Sequence, residues 1–334
     1  MFKYASTALL VWLLTSGFVS TAHAVACGDS VTTSITLTSD LHCTSGYAAL
    51  EVFANDVTID LNGYTLSGTS GLAGVQVQGY KNVTVTNGSM RGFFAGVNAN
   101  QSTALRVNNV LFYEVGFGVV NNAGNDAAIS KNQFVRAQIG VSMRNSLIHT
   151  SASNNLIDDN EFYQAGIGIN ICGDHADNNT ITHNLIWKTI DYGIQLTQSD
   201  KTTIANNRIL ETGSTAIRLS NSSRSDIQRN TLAEGDTGLS ILAQATSPCL
   251  VSGAKRSYKN VIAANSVMAF QTGVRLGLGL TNSDEVLRNT LIDNKIYDDG
   301  VGIYFASDAH DNTTSNAFQG TFTPIVDYGV DNSY

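Results

Sequence analysis

Three acidic side chains could carry out acid–base chemistry if the fold brought them together. Asp191, Glu211 and Asp236 follow one another at intervals of 20 and 25 residues. A carboxyl group can donate or accept a proton at a reacting centre, and two arginines of the same region, Arg218 and Arg275, can hold a carboxylate through paired hydrogen bonds. Such intervals bring side chains together only in a chain that returns to the same place every 20 to 25 residues, so repeated elements must position these groups.

A repeated phrase with that period runs through most of the chain. In its clearest copy, residues 181–196 (ITHNLIWKTIDYGIQL), an asparagine precedes an apolar residue by two positions, and a glycine later opens an alternating apolar segment. A period in the twenties is typical of solenoids, in which each coil buries its apolar face against its neighbours. The repeated asparagine is found at Asn109, Asn132, Asn160, Asn184, Asn207, Asn230, Asn265, Asn294 and Asn316.

Each repeat contains short alternating apolar segments and no amphipathic helix longer than one turn. The leucine-rich repeat has a similar period, but its leucine lattice is absent and β-branched residues dominate the apolar positions. We therefore predict an all-β, single-stranded parallel β-helix. Because an asparagine amide both donates and accepts hydrogen bonds, the nine asparagines should stack as a ladder at the strand spacing of about 4.8 Å.

Three phrases carry a resemblance to a known family. Residues 57–66 (VTIDLNGYTL), residues 82–90 (NVTVTNGSM) and the recurrent GIxI and NxI patterns resemble right-handed parallel β-helix proteins with the pectin-lyase-like fold, and most closely the NosD-type repeat group. The resemblance covers roughly residues 50–320. It implies a right-handed solenoid and leaves the activity open, since such proteins include lyases, epimerases, hydrolases, phage adhesins and proteins without known chemistry.

The ends of the chain predict export and capping. Residues 1–24 contain Lys3, an apolar run and an Ala-His-Ala ending, the pattern of a signal peptide cleaved after Ala24. We predict an N-terminal cap at residues 25–50, the parallel β-helix at residues 51–317 and a C-terminal cap at residues 318–334. No later segment is apolar for long enough to span a membrane, so the exported protein should be secreted or periplasmic.

The charge of the chain excludes one class of partner. Without Lys3 the chain has 18 basic and 27 acidic residues, and no basic run is longer than two residues. Nucleic acid is therefore an improbable partner, since phosphate binding needs clustered lysine and arginine. The same balance weakens the case for a strongly polyanionic substrate without excluding it. Oligomeric state is not predicted.

Four cysteines in an exported chain predict two disulfides. Cys27 and Cys43 flank one short apolar stretch and should join within the N-terminal cap, which leaves Cys172 to pair with Cys249 three repeats later. Three coils span only about 14 Å, so that pairing is feasible. Free or metal-bound thiols are the alternative for the second pair.

Two acidic clusters with a histidine were weighed as sites: residues 174–177 (DHAD) and residues 308–311 (DAHD). The second resembles the motif of mannuronan C5-epimerases, but that motif begins directly after the Gly-Ile of the long sheet, at Asn170 or Tyr304 in this chain. We favour structural turns, with calcium or catalysis as alternatives. We predict no metal site and no other cofactor, because the histidines are scattered, and a NosD-like role in copper delivery lacks a histidine or methionine cluster.

Stacking of equivalent positions predicts two rows of side chains beside the glycine strands. The outward row, two positions after each glycine, consists of Asn98, Val120, Ser142, Asn170, Gln195, Arg218, Ser240, Arg275 and Tyr304. The bordering row contains Arg136, Gln138, Tyr163, Lys188, Asp191, Tyr192, Glu211, Glu234, Asp236, Asp298 and Asp299. The alternative is an ordinary solvated surface. The longest insertion, residues 244–259, should close over a ligand with Tyr258.

These rows yield a functional hypothesis: a polysaccharide bound along the long sheet and processed by elimination, epimerisation or hydrolysis. The predicted catalytic residues are Asp191, Glu211, Asp236 and Arg218, the last by resemblance to family lyases in which arginine abstracts a proton. The predicted substrate-binding residues are Asn170, Lys188, Tyr192, Gln195, Arg275 and Tyr258. A non-catalytic glycan-binding or envelope β-helix, and a NosD-like maturation factor for a metal site, are the alternatives.

Overall fold

A computed structural model describes residues 25–145, 151–243, 256–278 and 285–334 of the chain. The described residues contain strands and turns and no helix. Residues 1–24 lie outside them, so the signal peptide and its cleavage stay a prediction.

The 33 strands are short and follow one another in chain order. The first half comprises β1 (Asp29–Val31), β2 (Ile35–Thr36), β3 (Leu41–His42), β4 (Ala48–Val52), β5 (Thr58–Asp60), β6 (Thr65–Ser67), β7 (Ala73–Gln78), β8 (Thr84–Arg91), β9 (Ala95–Asn100), β10 (Arg106–Tyr113), β11 (Phe117–Asn122), β12 (Ala128–Ser130), β13 (Gln133–Val135), β14 (Ile139–Arg144), β15 (Leu156–Asp158), β16 (Glu161–Tyr163) and β17 (Ile167–Cys172). The second half comprises β18 (Thr180–Thr182), β19 (Leu185–Trp187), β20 (Tyr192–Thr197), β21 (Thr203–Ala205), β22 (Arg208–Ser220), β23 (Asp226–Gln228), β24 (Thr231–Leu242), β25 (Arg256–Tyr258), β26 (Val261–Ala263), β27 (Ser266–Leu276), β28 (Glu285–Leu287), β29 (Thr290–Tyr297), β30 (Val301–Phe305), β31 (Ala309–His310), β32 (Thr313–Gln319) and β33 (Thr323–Asp327).

The strands form a parallel β-solenoid of about 12 turns, as predicted. One coil consists of the glycine strand β17, the short strand β18 and the short strand β19. Each of them pairs in parallel with its counterpart in the next coil: β17 with β20, β18 with β21 and β19 with the start of β22. The glycine strands therefore stack into one long sheet, which runs the length of the solenoid.

Glycine opens these strands because its position faces a bulky side chain inside the coil. A Cβ atom on Gly140 would lie 2.4 Å from the ring of Phe162, and one on Gly118 would lie 2.3 Å from the ring of Phe134. Phe134 and Phe162 are fully buried and stack with ring centroids 4.7 Å apart. The sequence signal Gly-apolar thus marks the place where the long sheet passes over the core.

The asparagine ladder is confirmed for eight of the nine predicted residues, from Asn132 to Asn316. Asn184 is typical: its amide donates to the Oδ1 of Asn207 at 3.0 Å and to the carbonyl of Ile157 at 2.9 Å, while its own Oδ1 accepts from Asn160. Each amide is buried, so the ladder satisfies corner groups that water cannot reach.

The ninth predicted member, Asn109, was wrong. Its side chain is exposed and its backbone is left-handed, with φ of 54°. Val110 occupies the ladder position instead, and its N–H donates to the Oδ1 of Asn132 at 3.1 Å. An asparagine is favoured at either position, in the ladder or at a left-handed corner, so the residue type alone did not distinguish them.

A second ladder at the preceding corner escaped the sequence analysis. Asn155 donates to Asn179 at 3.0 Å, and a later stack runs from Asn260 through Asn289 and Asn312 to Asn332. In the coils between them, Thr202 and Ser225 take the position, and the hydroxyl of Ser225 accepts from the N–H of Thr202. The signal was present in the sequence, because Asn155, Asn179, Asn260 and Asn289 each precede a first-ladder asparagine by five residues.

The two ends of the chain also carry coil-like pairings. In the segment predicted as the N-terminal cap, β1, β2 and β3 pair in parallel with β4, β5 and β6. Within the predicted C-terminal cap, β33 pairs in parallel with β30. The cap boundaries themselves stay a prediction.

A disulfide joins Cys27 to Cys43, as predicted. No thiol is free in the described part of the chain, so Cys172 is also in a disulfide. Its predicted partner, Cys249, lies outside the described residues.

Replacing Asn184 with alanine should lower the free energy of unfolding by about 1 to 3 kcal/mol, because buried donors and acceptors on both neighbouring coils lose their partner. Chemical denaturation of the purified protein measures this. Asn109→Ala, which changes the same residue type at an exposed corner, should cost less. Equal losses for the two variants would contradict the ladder assignment.

Non-reducing peptide mapping should find the Cys27–Cys43 link and a link from Cys172 to Cys249, and alkylation without reduction should label no cysteine. Cys43→Ser should lower the stability by about 2 to 4 kcal/mol, as expected for the loss of a native disulfide. A crosslinked peptide that joins Cys172 to any other residue would overturn the second pairing.

Candidate functional site

The outward row predicted on the long sheet is present in the structure. Strand pairing places Asn170 beside Gln195, Gln195 beside Arg218, Arg218 beside Ser240 and Ser240 beside Arg275. The same register extends to Tyr304 at one end and to Asn98 at the other. The stacking rule therefore brought five of the ten predicted catalytic and substrate-binding residues into reach of one another or onto one face: Asn170, Gln195, Arg218, Arg275 and, through its hydroxyl, Tyr192.

Two arginines on this face are held over tyrosine rings. The guanidinium of Arg218 lies 4.9 Å from the ring centroid of Tyr192 and donates to its hydroxyl. The guanidinium of Arg275 lies 5.3 Å from the ring centroid of Tyr304 and donates to the carbonyl of Gly277 at 3.1 Å. Neither arginine is in an ion pair among the described residues, so both cations are open to an anionic ligand.

Ser240 lies between the two arginines in the row. It is 3% exposed, and its hydroxyl has no hydrogen-bond partner in the protein. Because Arg218 and Arg275 are two coils apart, their backbones are separated by about 10 Å. The arrangement is a slot with a hydroxyl at its base and a guanidinium on either side, which suits a carboxylate-bearing ligand.

Neutral amides extend the row toward the N-terminus. Asn98 donates to Gln76 at 2.8 Å, and in the neighbouring row of the same sheet Asn122 donates to Asn100 at 3.0 Å. Asn170 is nearly buried in the sheet face and Gln195 is half-buried. These groups offer hydrogen bonds to sugar hydroxyls without charge.

The corner before the long sheet separates the three predicted carboxylates into two rows. Glu211 occupies a left-handed position that is repeated in every coil, next to Lys188, with which it forms a 3.8 Å ion pair, and next to Glu234. Asp191 is followed in the next coil by Ser214, because the N–H of Ser214 donates to the carbonyl of Asp191. Asp191 and Asp236 therefore lie two coils apart in one row, and the expected row of three adjacent carboxylates was wrong.

The reason for this split is a change of register in the strand pairing. Between Thr212 and Thr215 the pairing of β22 with β24 shifts by one residue. Counting residues from coil to coil consequently moves a side chain from one row to another. Asp191, Glu211 and Asp236 are all exposed at the edge of the long sheet.

The aromatic side chains of the same corner lie on the outer face of the third strand. Tyr163 and Trp187 contact each other with ring centroids 4.3 Å apart, and the ammonium of Lys188 lies 5.4 Å from the Trp187 ring. This platform is adjacent to the long sheet and does not share its row.

An arginine–glutamate cluster at this corner was not predicted as a unit. Glu114 lies between Arg91 at 3.2 Å and Arg136 at 3.5 Å. A hydrogen bond from the Tyr113 hydroxyl, together with the neighbouring Arg91, lowers the pKa of Glu114. All of these side chains are well exposed, so the cluster is a feature of the surface.

Tyr258, predicted to bind substrate, lies at the opposite edge, in the turn that follows the long sheet. The acidic clusters at residues 174–177 and 308–311 lie in this turn as well, and their carboxylates bond to backbone. The Oδ1 of Asp177 accepts from the N–H of Asp200 at 2.8 Å, and the Oδ2 of Asp308 accepts from the N–H of Leu278 at 3.1 Å. Burial raises the pKa of Asp177, and the neighbouring carboxylate of Asp200 adds to the effect.

Asp299 has an environment that the sequence did not reveal. It is 2% exposed, its Oδ1 accepts from the N–H of Phe270 at 2.7 Å and its Oδ2 has no hydrogen-bond partner. A Cβ atom on Gly273 would lie 2.5 Å from Oδ2, so that glycine leaves the carboxyl its room. Burial raises the pKa of Asp299 to about 6.

No group of three or more histidine, cysteine, aspartate or glutamate side chains is placed to hold a metal ion within the described ranges. No helix in the same residues is long and apolar enough to cross a membrane.

Comparison with known proteins agrees with the fold. The family model of NosD, described as a periplasmic copper-binding protein, matches residues 142–267, which is less than half of the chain. No curated protein sequence matches significantly.

Solved structures of similar shape are parallel β-helix proteins. A periplasmic alginate epimerase, AlgG, has a TM-score of 0.61 at 13% identity, covering 87% of this chain and 78% of that chain. A surface adhesin of Streptococcus pneumoniae, PfbA, has a TM-score of 0.55 at 12% identity, with coverages of 91% and 81%. The catalytic unit of an alpha-1,3-glucanase from Streptomyces thermodiastaticus has a TM-score of 0.53 at 11% identity, with coverages of 91% and 61%. At these identities the likeness shows the fold alone.

Asp299 predicts a pH-dependent stability. Its pKa in the folded protein, about 6, is above the ordinary value near 3.9, so the folded state holds the proton more tightly and stability falls as pH rises from about 4 through 6. Asp299→Asn should remove this contribution and stabilise the protein by about 1 to 2 kcal/mol at pH 7.5, and not at pH 4. Denaturant unfolding at both pH values measures it.

Asp298→Asn, a change at the exposed neighbouring residue, is the matched control and should leave the pH profile unchanged. If Asp299→Asn shifted the stability equally at both pH values, the carboxyl would not be the titrating group.

Proposed function

We propose that this protein binds a carboxylate-bearing polysaccharide along the long sheet. The observation that carries the proposal is the slot formed by Arg218, Ser240 and Arg275: two guanidinium groups without ion pairs on either side of a buried, unpartnered hydroxyl. Each arginine is restrained by a tyrosine ring, so little conformational entropy is lost on binding. A surface with only a structural role has no need for two unpaired cations at such a place.

The polymer would run along the solenoid axis, because that is the direction in which the row repeats. Its acid groups would pair with Arg218 and Arg275, and its hydroxyls would bond to the amides of Asn170 and Gln195. Sugar rings would contact the exposed edge of Tyr192. Repetition at the strand spacing allows several sugar units to be held by equivalent positions in successive coils.

Chemistry on that polymer would come from the edge of the same face. Asp191 and Asp236 lie in the corner directly before β20 and before the long-sheet part of β24, at the rim of the slot. They would act as acid and base in elimination, epimerisation or hydrolysis. The resemblance to family lyases also proposes Arg218 as the proton acceptor. Glu211 and Lys188 pair with each other in the adjacent row, and their role would be to position the chain.

Location and relatives support a glycan partner. The described disulfide is typical of extracytoplasmic proteins, and the structural neighbours include an alginate epimerase and a glucanase. We keep the division into a signal peptide, two caps and a β-helix as part of the proposal, with secretion or periplasmic export as its consequence.

Two alternatives have specific support. The adhesin among the structural neighbours favours a non-catalytic glycan-binding role. The match to the NosD family favours copper handling, although the described residues bring together no set of metal-ligating side chains. A copper titration of the purified protein separates the second alternative from glycan binding.

Binding to a panel of acidic and neutral polysaccharides tests the proposal. An acidic polymer should bind, and Arg218→Ala and Arg275→Ala should each weaken the binding by about tenfold or more, since each removes a charged hydrogen-bond pair. Arg229→Ala, at an exposed corner away from the long sheet, is the matched control and should bind like the parent.

Turnover is measured on the same panel. If the protein processes the bound polymer, Asp191→Ala should lower the rate while leaving the binding within a few fold of the parent. Binding that is unaffected by both arginine substitutions would place the site elsewhere, and binding without turnover would favour the adhesin-like alternative.

A further inference from the structure

A cavity of about 530 Å³ lies in the turn that follows the long sheet, at the opposite edge from the carboxylates of the proposed catalytic corner. It spans five successive coils, and none of the roles proposed above uses it. Its floor is one row of equivalent positions, in the order Asp177, Asp200, Ser223, Tyr258 and Leu287.

The wall of the cavity is a row of cations. The next position in the turn is Lys201, Arg224, Lys259 and Arg288 in four successive coils, and each has a left-handed backbone with φ between 53° and 56°. Their equivalence follows from one repeated backbone hydrogen bond, from each of these N–H groups to the carbonyl of the floor residue in the next coil. Four like charges about 5 Å apart repel one another, so the row is unfavourable unless anions offset it.

Only part of that charge is offset within the protein. Arg224 is paired with Asp200 at 2.6 Å, and Arg288 lies 3.8 Å from Asp311. Lys259 is in no ion pair with any described residue, and it lines the cavity together with Arg256 and Arg288. One end of the cavity is therefore basic.

The other end of the cavity is acidic. Asp174, Asp177 and Asp200 line it in the two preceding coils. Carboxylates are strong acceptors for hydroxyl groups, and between the two ends lies the half-buried ring of Tyr258. A ligand that fits must therefore present hydroxyls at one end, a ring face in the middle and an anion at the other end.

We infer that this cavity is a second carbohydrate site, which takes a sugar carrying one acidic group. The acid group pairs with Lys259, Arg256 and Arg288, the ring packs on Tyr258, and the hydroxyls donate to the carboxylates of Asp177 and Asp200. The site stands on residues of its own, so it does not depend on the binding proposed for the long sheet.

Calorimetric titration with glucuronate, with glucose and with inorganic sulfate tests the inference. Glucuronate should bind, and glucose and sulfate should each bind at least about tenfold more weakly, because each lacks one half of the recognised chemistry. Sulfate binding as tightly as glucuronate would reduce the cavity to an anion site and overturn the inference, as would equal binding of glucose.

Variants locate the binding. Lys259→Gln and Tyr258→Ala should each weaken glucuronate binding by about tenfold, and Lys259→Arg should restore it and thereby exclude a folding defect. Lys201→Gln is the matched control, since it occupies the same corner outside the cavity lining, and it should bind like the parent.

The double variant Arg218→Ala with Arg275→Ala separates this site from the long-sheet proposal. It should retain glucuronate binding in the cavity while losing the polysaccharide. Loss of glucuronate binding in that variant, together with normal binding by Lys259→Gln, would assign the sugar to the long sheet and overturn the second site.

Discussion

Hydrogen bonding between successive coils is the constraint on which the whole structure depends. Parallel pairing fixes the spacing of equivalent residues at about 4.8 Å, and each sharp corner leaves backbone groups that water cannot reach. Buried asparagines such as Asn184 satisfy them by bonding to the coil on either side. Where asparagine is absent from the second ladder, the hydroxyl of Ser225 does the same work. Since the interior is held by chain-long ladders, the outward positions are free to vary.

That freedom explains how the solenoid can carry sites on two edges. The long sheet places Arg218 and Arg275 in one row with Ser240 between them, and the following turn places four cations in another row. In both cases residues distant in sequence become neighbours only through the repeat. A charged group gained or lost in one coil changes the local ligand chemistry without disturbing the ladders beneath it. Conserved packing and variable surface are thereby separated along each strand.

The repeat made the fold predictable, and with it every row that lies within a regular strand. The outward row from Asn98 to Tyr304 followed from counting two positions after each glycine, because the glycine is fixed by contacts such as that between Gly140 and Phe162. Corners were less predictable. Asn109 suited a left-handed corner as well as the ladder, and the register change between Thr212 and Thr215 moved Glu211 out of the row of Asp191. The environment of Asp299 depends on a space above Gly273 that no local pattern encodes.

Hydrogen–deuterium exchange with and without an acidic oligosaccharide tests the central claim most directly, since it locates the ligand without a substitution. If the polymer lies on the long sheet, peptides that contain β20, the end of β22 and the end of β27 should exchange more slowly in the complex. Peptides that contain β21 and β23, on another face of the same coils, should be unchanged. Protection confined to β21 and β23, or spread equally over all faces, would contradict the account.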